Sequence, residues 1–128
     1  MPRTPKKLSP AAPPRSPCPV ANALDLIGDR WTLLVVRDLF AGKTLFREFA
    51  ASPEGIATNI LSSRLRQLCD AGLAERVPSK GRKGQFAYQL TARGRSLAPV
   101  LRAVADWGLT NIAGTEERVR VHPVASDA

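Results

Sequence analysis

A mainly α fold with a small β-hairpin wing, a winged helix-turn-helix, is predicted by three observations on this chain of 128 residues. Residues 57–72, ATNILSSRLRQLCDAG, place Leu61, Leu65 and Leu68 at i, i+4 and i+7, which builds one apolar helical stripe. Two short alternating segments, LAERVP and QFAYQL, flank the Gly-bounded basic run SKGRKG, as two strands flank a hairpin tip. Short helical segments separated by Gly-containing turns precede them, in the order that a helix-turn-helix requires.

The length supports one small domain with a single core. A hydrophobic content of 44% with only 5% aromatic residues predicts a core of Leu, Val, Ile and Ala. Residues 1–17 are rich in proline and carry Arg3, Lys6, Lys7 and Arg15 with no acid, which reads as a disordered basic arm. That arm either solubilises the chain or adds non-specific attraction to phosphates. The folded domain is expected over 18–113, with a polar, flexible tail over 114–128.

Each element has its own signals. Pro19 suits the first position of a helix, where its missing N–H has no partner to lose, and helix one is predicted over 19–27. Trp31, Leu34 and Val35 continue the helical period after Gly28-Asp29, giving helix two over 30–40, with Gly42 as its terminator. Thr44 is the expected cap of a third helix, Leu45 to Ala51, whose core face is Leu45 and Phe49 with Phe46 beside them. Ser52-Pro53-Glu54-Gly55 is a turn by composition, and Ile56 leads into the long helix that Gly72 ends. Leu73, Glu75 and Val77 are expected to alternate with Ala74, Arg76 and Pro78, and Phe86, Tyr88 and Leu90 keep the same period of two. The six residues Ser79 to Gly84 are the expected hairpin loop. Thr91 is expected to cap one final helix in which Leu97, Val100, Leu101, Val104 and Trp107 recur every three or four residues. A domain this small has already used its core, so this last stripe is surplus apolar surface and suggests a partner subunit.

Charge narrows the function. Nineteen Lys and Arg against eleven Asp and Glu give a net charge of +8, which favours a polyanion. A membrane surface is the weaker choice: no apolar run approaches the roughly 18 residues of a spanning helix, and no helix has a polar face lined throughout by Lys and Arg. The N-terminus has no apolar signal-peptide segment, and two cysteines are too few for a disulfide framework, so the expected location is cytoplasmic. His122, the single histidine, falls in the expected tail, which leaves no His-based catalytic group or metal cluster and no cofactor motif.

The polar face of the long helix alone fits an ordinary solvated helix as well, and the basic tip alone a flexible charged loop, but the two together make double-stranded DNA the expected partner. Thr58, Asn59, Ser62, Ser63 and Arg66 share the polar face of the long helix, which can offer hydrogen bonds to base edges and charge to phosphates. Asn59 suits adenine, and Arg66 suits guanine or a phosphate. Arg64 lies nearer the edge of the apolar stripe, where an acid on a neighbouring element can pair with it. Lys80, Arg82 and Lys83 in the hairpin tip would add affinity more than sequence choice. Cys18 has two readings. A small residue packed at a helix start is the commoner case. A thiol beside a helix N-terminus, where the dipole favours the thiolate, is a redox or electrophile sensor. Cys69 reads as structure. Trp31 is expected in the core, and no residue points to an effector pocket.

The order of these features resembles the HxlR-type regulators. Cys18-Pro19-Val20 followed by Gly28-Asp29-Arg30-Trp31-Thr32-Leu33-Leu34 is similar to the family's opening, and Phe46-Arg47-Glu48-Phe49 to its short helix. Leu61-Ser62-Ser63-Arg64-Leu65-Arg66-Gln67-Leu68 with Ala71-Gly72-Leu73 resembles its recognition helix and exit. Tyr88-Gln89-Leu90-Thr91-Ala92-Arg93-Gly94 and Trp107-Gly108 resemble its last strand and dimer helix. The resemblance covers about residues 18–108 and implies a bacterial winged-helix transcription factor, a homodimer built from its terminal helices. Some members are thiol switches, which favours the sensor reading of Cys18, and a small-molecule or reactive-electrophile effector is a possible further partner. The wing departs from the pattern, since family wings often carry prolines and acids before the last strand. Repression at a palindromic operator is the expected mode. A protein-interaction module and a non-specific nucleoid-associated protein stay open beside it.

Overall fold

The computed structural model describes residues 7–8 and 15–117. Most of the Pro-rich arm, the end of the tail and His122 fall outside the described residues.

Helix α1 spans Pro19–Ile27, with Pro19 in its first turn and Cys18 as its N-cap. Asn22 reaches back to the Ser16 carbonyl at 2.7 Å and the Cys18 carbonyl at 2.9 Å, which ties the last residues of the arm to this helix. Helix α2 spans Thr32–Phe40 and begins two residues later than the periodicity predicts. The reason is Asp29, whose carboxylate accepts from the Trp31 N–H at 3.0 Å and the Thr32 N–H at 3.1 Å and so fixes the first turn. Gly42 follows α2 at φ +94°, where a side chain would be strained.

Helix α3, Phe46–Ala50, corrects the expected cap. Thr44 does not cap it; Leu45 occupies that position, and Glu48 accepts from the Thr44 N–H at 3.0 Å and the Leu45 N–H at 2.9 Å. These bonds hold the Glu48 carboxyl below its ordinary range. An acid in the first turn serves where no N-cap hydroxyl does. Helix α4, Thr58–Asp70, runs to Gly72 at φ +74°, and the Leu73 N–H closes on the Leu68 carbonyl at 2.9 Å.

Strands β1 (Ala74–Pro78) and β2 (Phe86–Leu90) pair antiparallel, from Ala74 opposite Leu90 to Pro78 opposite Phe86. Leu73 and Ala74 are both buried while Glu75 and Arg76 are both exposed, so the expected alternation fails at the entry of β1. The loop is Ser79 to Gln85, one residue longer than the composition suggests, with the Ser79 N–H on the Gln85 carbonyl at 2.8 Å. Tyr88 donates its N–H to the Thr44 carbonyl at 2.8 Å, which fastens the hairpin to the segment before α3.

The expected single final helix is two. Thr91 caps the short α5 (Ala92–Arg95), accepting from the Gly94 N–H at 3.1 Å, and α6 spans Ala98–Asn111. Pro99 has no N–H to give to the Arg95 carbonyl, so a continuous ladder cannot pass this point. The break turns α6 onto α2, where Ala98 and Leu101 pack with Leu33 and Phe40. Leu101 is thus buried, and Leu97 packs on the main core. Two of the five residues expected at a partner interface are used inside the protomer.

That core joins Val35, Val36 and Leu39 of α2, Phe49 of α3, and Leu61, Leu65 and Leu68 of α4, with Trp31 packed against it. Each fully buried Leu is worth about 1.5–3 kcal/mol. Gly94 is also buried, and a Cβ there would lie 1.9 Å from the Leu73 carbonyl oxygen. Gly108, inside α6, faces open space. Gly94→Ala is therefore expected to cost about 3 kcal/mol or more in urea melts, by overpacking against backbone, whereas Gly108→Ala raises stability by about 1 kcal/mol through helix propensity. Equal effects would remove the packing explanation of Gly94.

Candidate nucleic-acid interface

Burial fixes how α4 is rotated. With Leu61, Leu65 and Leu68 inward, Thr58, Asn59, Ser62, Ser63 and Arg66 all stand exposed on the other side. Ala57, the N-cap, offers no side-chain acceptor to the first turn of α4, so its N–H groups are available to an anion.

The seat of α4 is held by charge as well as by apolar contact. Arg64 Nε lies 2.8 Å from Asp29 Oδ2, the same carboxylate that caps α2. One acid thus joins the α1–α2 turn to the candidate recognition helix, and Arg64 faces it rather than the open side. Gln67 adds a longer bond to the Leu26 carbonyl at 3.5 Å. Burial raises the Asp29 pKa, but the bonds from Thr32, Trp31 and Arg64 outweigh it, and the carboxyl sits below its ordinary range.

The turn between α3 and α4 is fixed by a second group of ions. Arg37 meets Glu54 with two bonds, 2.7 and 2.8 Å, and reaches Asp38 at 2.9 Å. Asp38 is buried and also accepts from the Ser52 hydroxyl, while Lys43 donates to Ser52 at 2.8 Å. The paired guanidinium holds Glu54 below its ordinary pKa, so it stays a carboxylate. Gly55 at φ +69° completes the turn. Asp29, Asp38 and Glu54 each face a cation, and these acids leave little uncompensated negative charge beside α4.

The wing carries Lys80, Arg82 and Lys83, all exposed. Its tip is shaped by the Gln85 N–H on the Arg82 carbonyl at 3.1 Å and by Gly84 at φ +81°. At its base the Arg76 guanidinium lies 4.1 Å from the centre of the exposed Phe86 ring. This stack depends on strand register and has no local signal in the residue order. The Arg37–Glu54 and Arg64–Asp29 pairs were equally hidden, since their members are 17 and 35 residues apart. Arg64 alone signalled its partner, by its place at the edge of the apolar stripe.

Cys18 is exposed at the head of α1, with its N–H on the Ser16 hydroxyl at 3.2 Å. Cys69 is half-buried, and burial, helped by Asp70, pushes its thiol up, away from the reactive thiolate. Val100, Val104 and Trp107 stay exposed on α6, and Val20 and Leu24 on α1. Among the described residues, no helix is long and apolar enough to cross a membrane.

Comparison with known proteins places these features in a common frame. Residues 26–116 match the family model described as HxlR-like helix-turn-helix. An uncharacterised HTH-type transcriptional regulator of Mycobacterium tuberculosis is 42% identical over 89 residues, which cover 70% of this chain but only 56% of the relative. The crystal structure of the transcription factor PA1607 is similar with a TM-score of 0.74 and 43% identity, over 89% of this chain and 80% of that one. The redox regulator HypR in its oxidised form gives a TM-score of 0.67 and 32% identity, over 73% and 97%.

The Asp29 cluster generates a prediction with a definite sign. A carboxyl with a lowered folded pKa contributes stability that is present above its unfolded value, near 3.9, and lost as pH falls through the folded value. Asp29→Ala is expected to cost about 1–2 kcal/mol at pH 7, chiefly as a lost cap, and the gap from wild type closes toward pH 2. Denaturant midpoints across that range check it; a gap that is independent of pH would refute the charged role.

Proposed function

Because the chain belongs to the HxlR-like helix-turn-helix family of transcriptional regulators, we propose that it is a sequence-specific DNA-binding repressor that acts as a homodimer on a palindromic operator in the cytoplasm. One observation carries the DNA reading. The exposed face of α4 is polar and holds a cation, Asp29 and Glu54 beside its seat are paired with arginines, and a basic hairpin follows it. In this reading α4 enters the major groove, Asn59 and Arg66 meet base edges, and Thr58, Ser62 and Ser63 complete the contact. Lys80, Arg82 and Lys83 hold flanking phosphates. Residues 18–113 form the operative domain, with residues 1–17 and 114–128 as its appendages.

The homodimer is supported by apolar surface that one protomer leaves uncovered. Val104 is 55% exposed and Trp107 64% on α6, while Val20 is 65% and Leu24 53% on α1. A second copy that covers both stripes sets two α4 helices about one helical turn of DNA apart. A thiol response is supported by the similarity to HypR, whose description is a redox regulator, together with the exposure of Cys18.

Selection from random DNA, followed by titration of the selected site against a scrambled control at physiological salt, tests the core of the proposal. A preference of about a thousandfold is expected. Equal binding would discard operator reading. Arg66→Ala relaxes base choice by about 1–3 kcal/mol. Replacing Lys80, Arg82 and Lys83 with alanine weakens binding to every sequence and flattens the salt slope by roughly 0.9 per lost phosphate contact. Peroxide or quinone is expected to alter operator binding by the wild type and not by Cys18→Ser; indifference of both would end the sensor role.

A further inference from the structure

Helix α6 leaves α2 unevenly. Its first turns pack on α2 through Ala98 and Leu101. Its later turns stand away and leave a cleft of about 480 Å³ walled by Leu34, Ala41, Pro53, Ala105, Gly108 and Leu109. The chain after α6 folds back across one end. The Thr115 hydroxyl donates to the Ile112 carbonyl at 2.8 Å and lies 3.2 Å from the Gly108 carbonyl, and Glu117 pairs with Arg102.

Gly108 is the informative residue. Glycine inside a helix costs about 1 kcal/mol relative to alanine. It is usually there because a neighbour approaches or because the backbone needs positive φ. Gly108 has neither reason: a Cβ at this position would meet nothing within 4 Å, and its φ is not positive. The missing side chain enlarges the cleft instead.

We infer that this cleft is a binding site for a neutral, largely apolar aromatic molecule, which acts as an effector by wedging α6 away from the helix-turn-helix turn. The class follows from the walls and the charges. Most of the lining surface is hydrocarbon, and the charged side chains that share it already have partners: Arg37 with Glu54 and Asp38, Lys43 with Ser52 and Asp38, Glu117 with Arg102. A charged ligand would have to break one of these pairs, whereas a neutral one breaks none. The volume suits a small molecule, since such sites span about 300–1,000 Å³. Pro53 and Glu54 on the far wall belong to the turn that leads into α4, and α6 carries the uncovered stripe. Occupancy therefore acts on the angle between the partner-facing helix and the reading helix. The effector role rests on the regulator reading above, but the site itself does not.

Titration of the full-length chain with N-phenyl-1-naphthylamine, a neutral aromatic amine whose emission rises on leaving water, tests the site. Saturable binding at one site per protomer is expected. Gly108→Leu, which fills the cleft, lowers affinity by about tenfold or more, and Thr110→Leu on the exposed side of the same helix leaves it unchanged. If Gly108→Leu melts early, Ala105→Phe fills the cleft from the adjacent turn and carries the same expectation. Unaltered affinity in the filled variant, or loss in Thr110→Leu alone, would overturn the site. At saturation the probe is expected to change affinity for the selected operator by about fivefold or more in the wild type and not in the filled variant. A bound probe with unchanged operator affinity would overturn the effector role. Absence of operator binding without any probe would instead count against the regulator reading, while the probe titration still decides the cleft.

Discussion

Helix α4 has to satisfy two solvents at once, and the rest of the molecule is arranged around that constraint. Its stripe of Leu61, Leu65 and Leu68 removes one face from water, and only this burial sets which side chains remain outside. A rotation by one residue would turn Asn59 and Arg66 away and expose leucine. The apolar contact fixes rotation, and the Arg64–Asp29 pair adds a directional anchor, because Asp29 is itself held by two α2 backbone N–H groups. An exposed ion pair is worth little by itself. This one matters because its acid is pre-organised by a second duty.

The same economy explains the electrostatics. Asp29, Asp38 and Glu54 are structural acids beside the surface proposed to meet phosphates. Left alone they would repel a polyanion. Each is matched by an arginine or lysine that the fold also uses: Arg64 to seat α4, Arg37 and Lys43 to close the turn before it. The cations Arg66, Lys80, Arg82 and Lys83 remain exposed on α4 and the wing, with Asp70 at the far end of the same helix as an exposed acid. The net charge of +8 is thus uneven around α4, because three of the acids nearest its seat are matched by cations of the fold.

Much of this fold was legible in the residue order, and the reasons are local ones. The bounds of α1, the stripe of α4, the glycines at 42 and 72 and the two strands follow from periodicity and backbone freedom, which neighbours in sequence decide. What escaped was decided at a distance or by competition. Thr44 has the better capping side chain, yet Glu48 took the backbone donors because its carboxylate reaches both Thr44 and Leu45. The final helix reads as continuous from its apolar spacing, but Pro99 and the buried Gly94 divide it. Of the candidate site, the polar face and the basic tip were visible, whereas the Arg76–Phe86 stack and the ion pairs that hold the helix needed the folded register.

Helix α6 shows how a short element can serve several surfaces. Its first turns are committed inward, through Ala98 and Leu101, and Val100, Val104 and Trp107 point the other way. A helix that packed along its whole length would be a rigid extension of α2. This one is gripped at its start and leaves the cleft further on, so a pivot of its second half about the Pro99 end, as the proposed effector requires, would break few buried contacts. The fold-back of Thr115 and Glu117 limits that motion without preventing it, because these bonds lie at the surface. In the proposed dimer this angle would set the spacing of the two α4 helices, so control would not have to pass through the residues proposed to meet the bases.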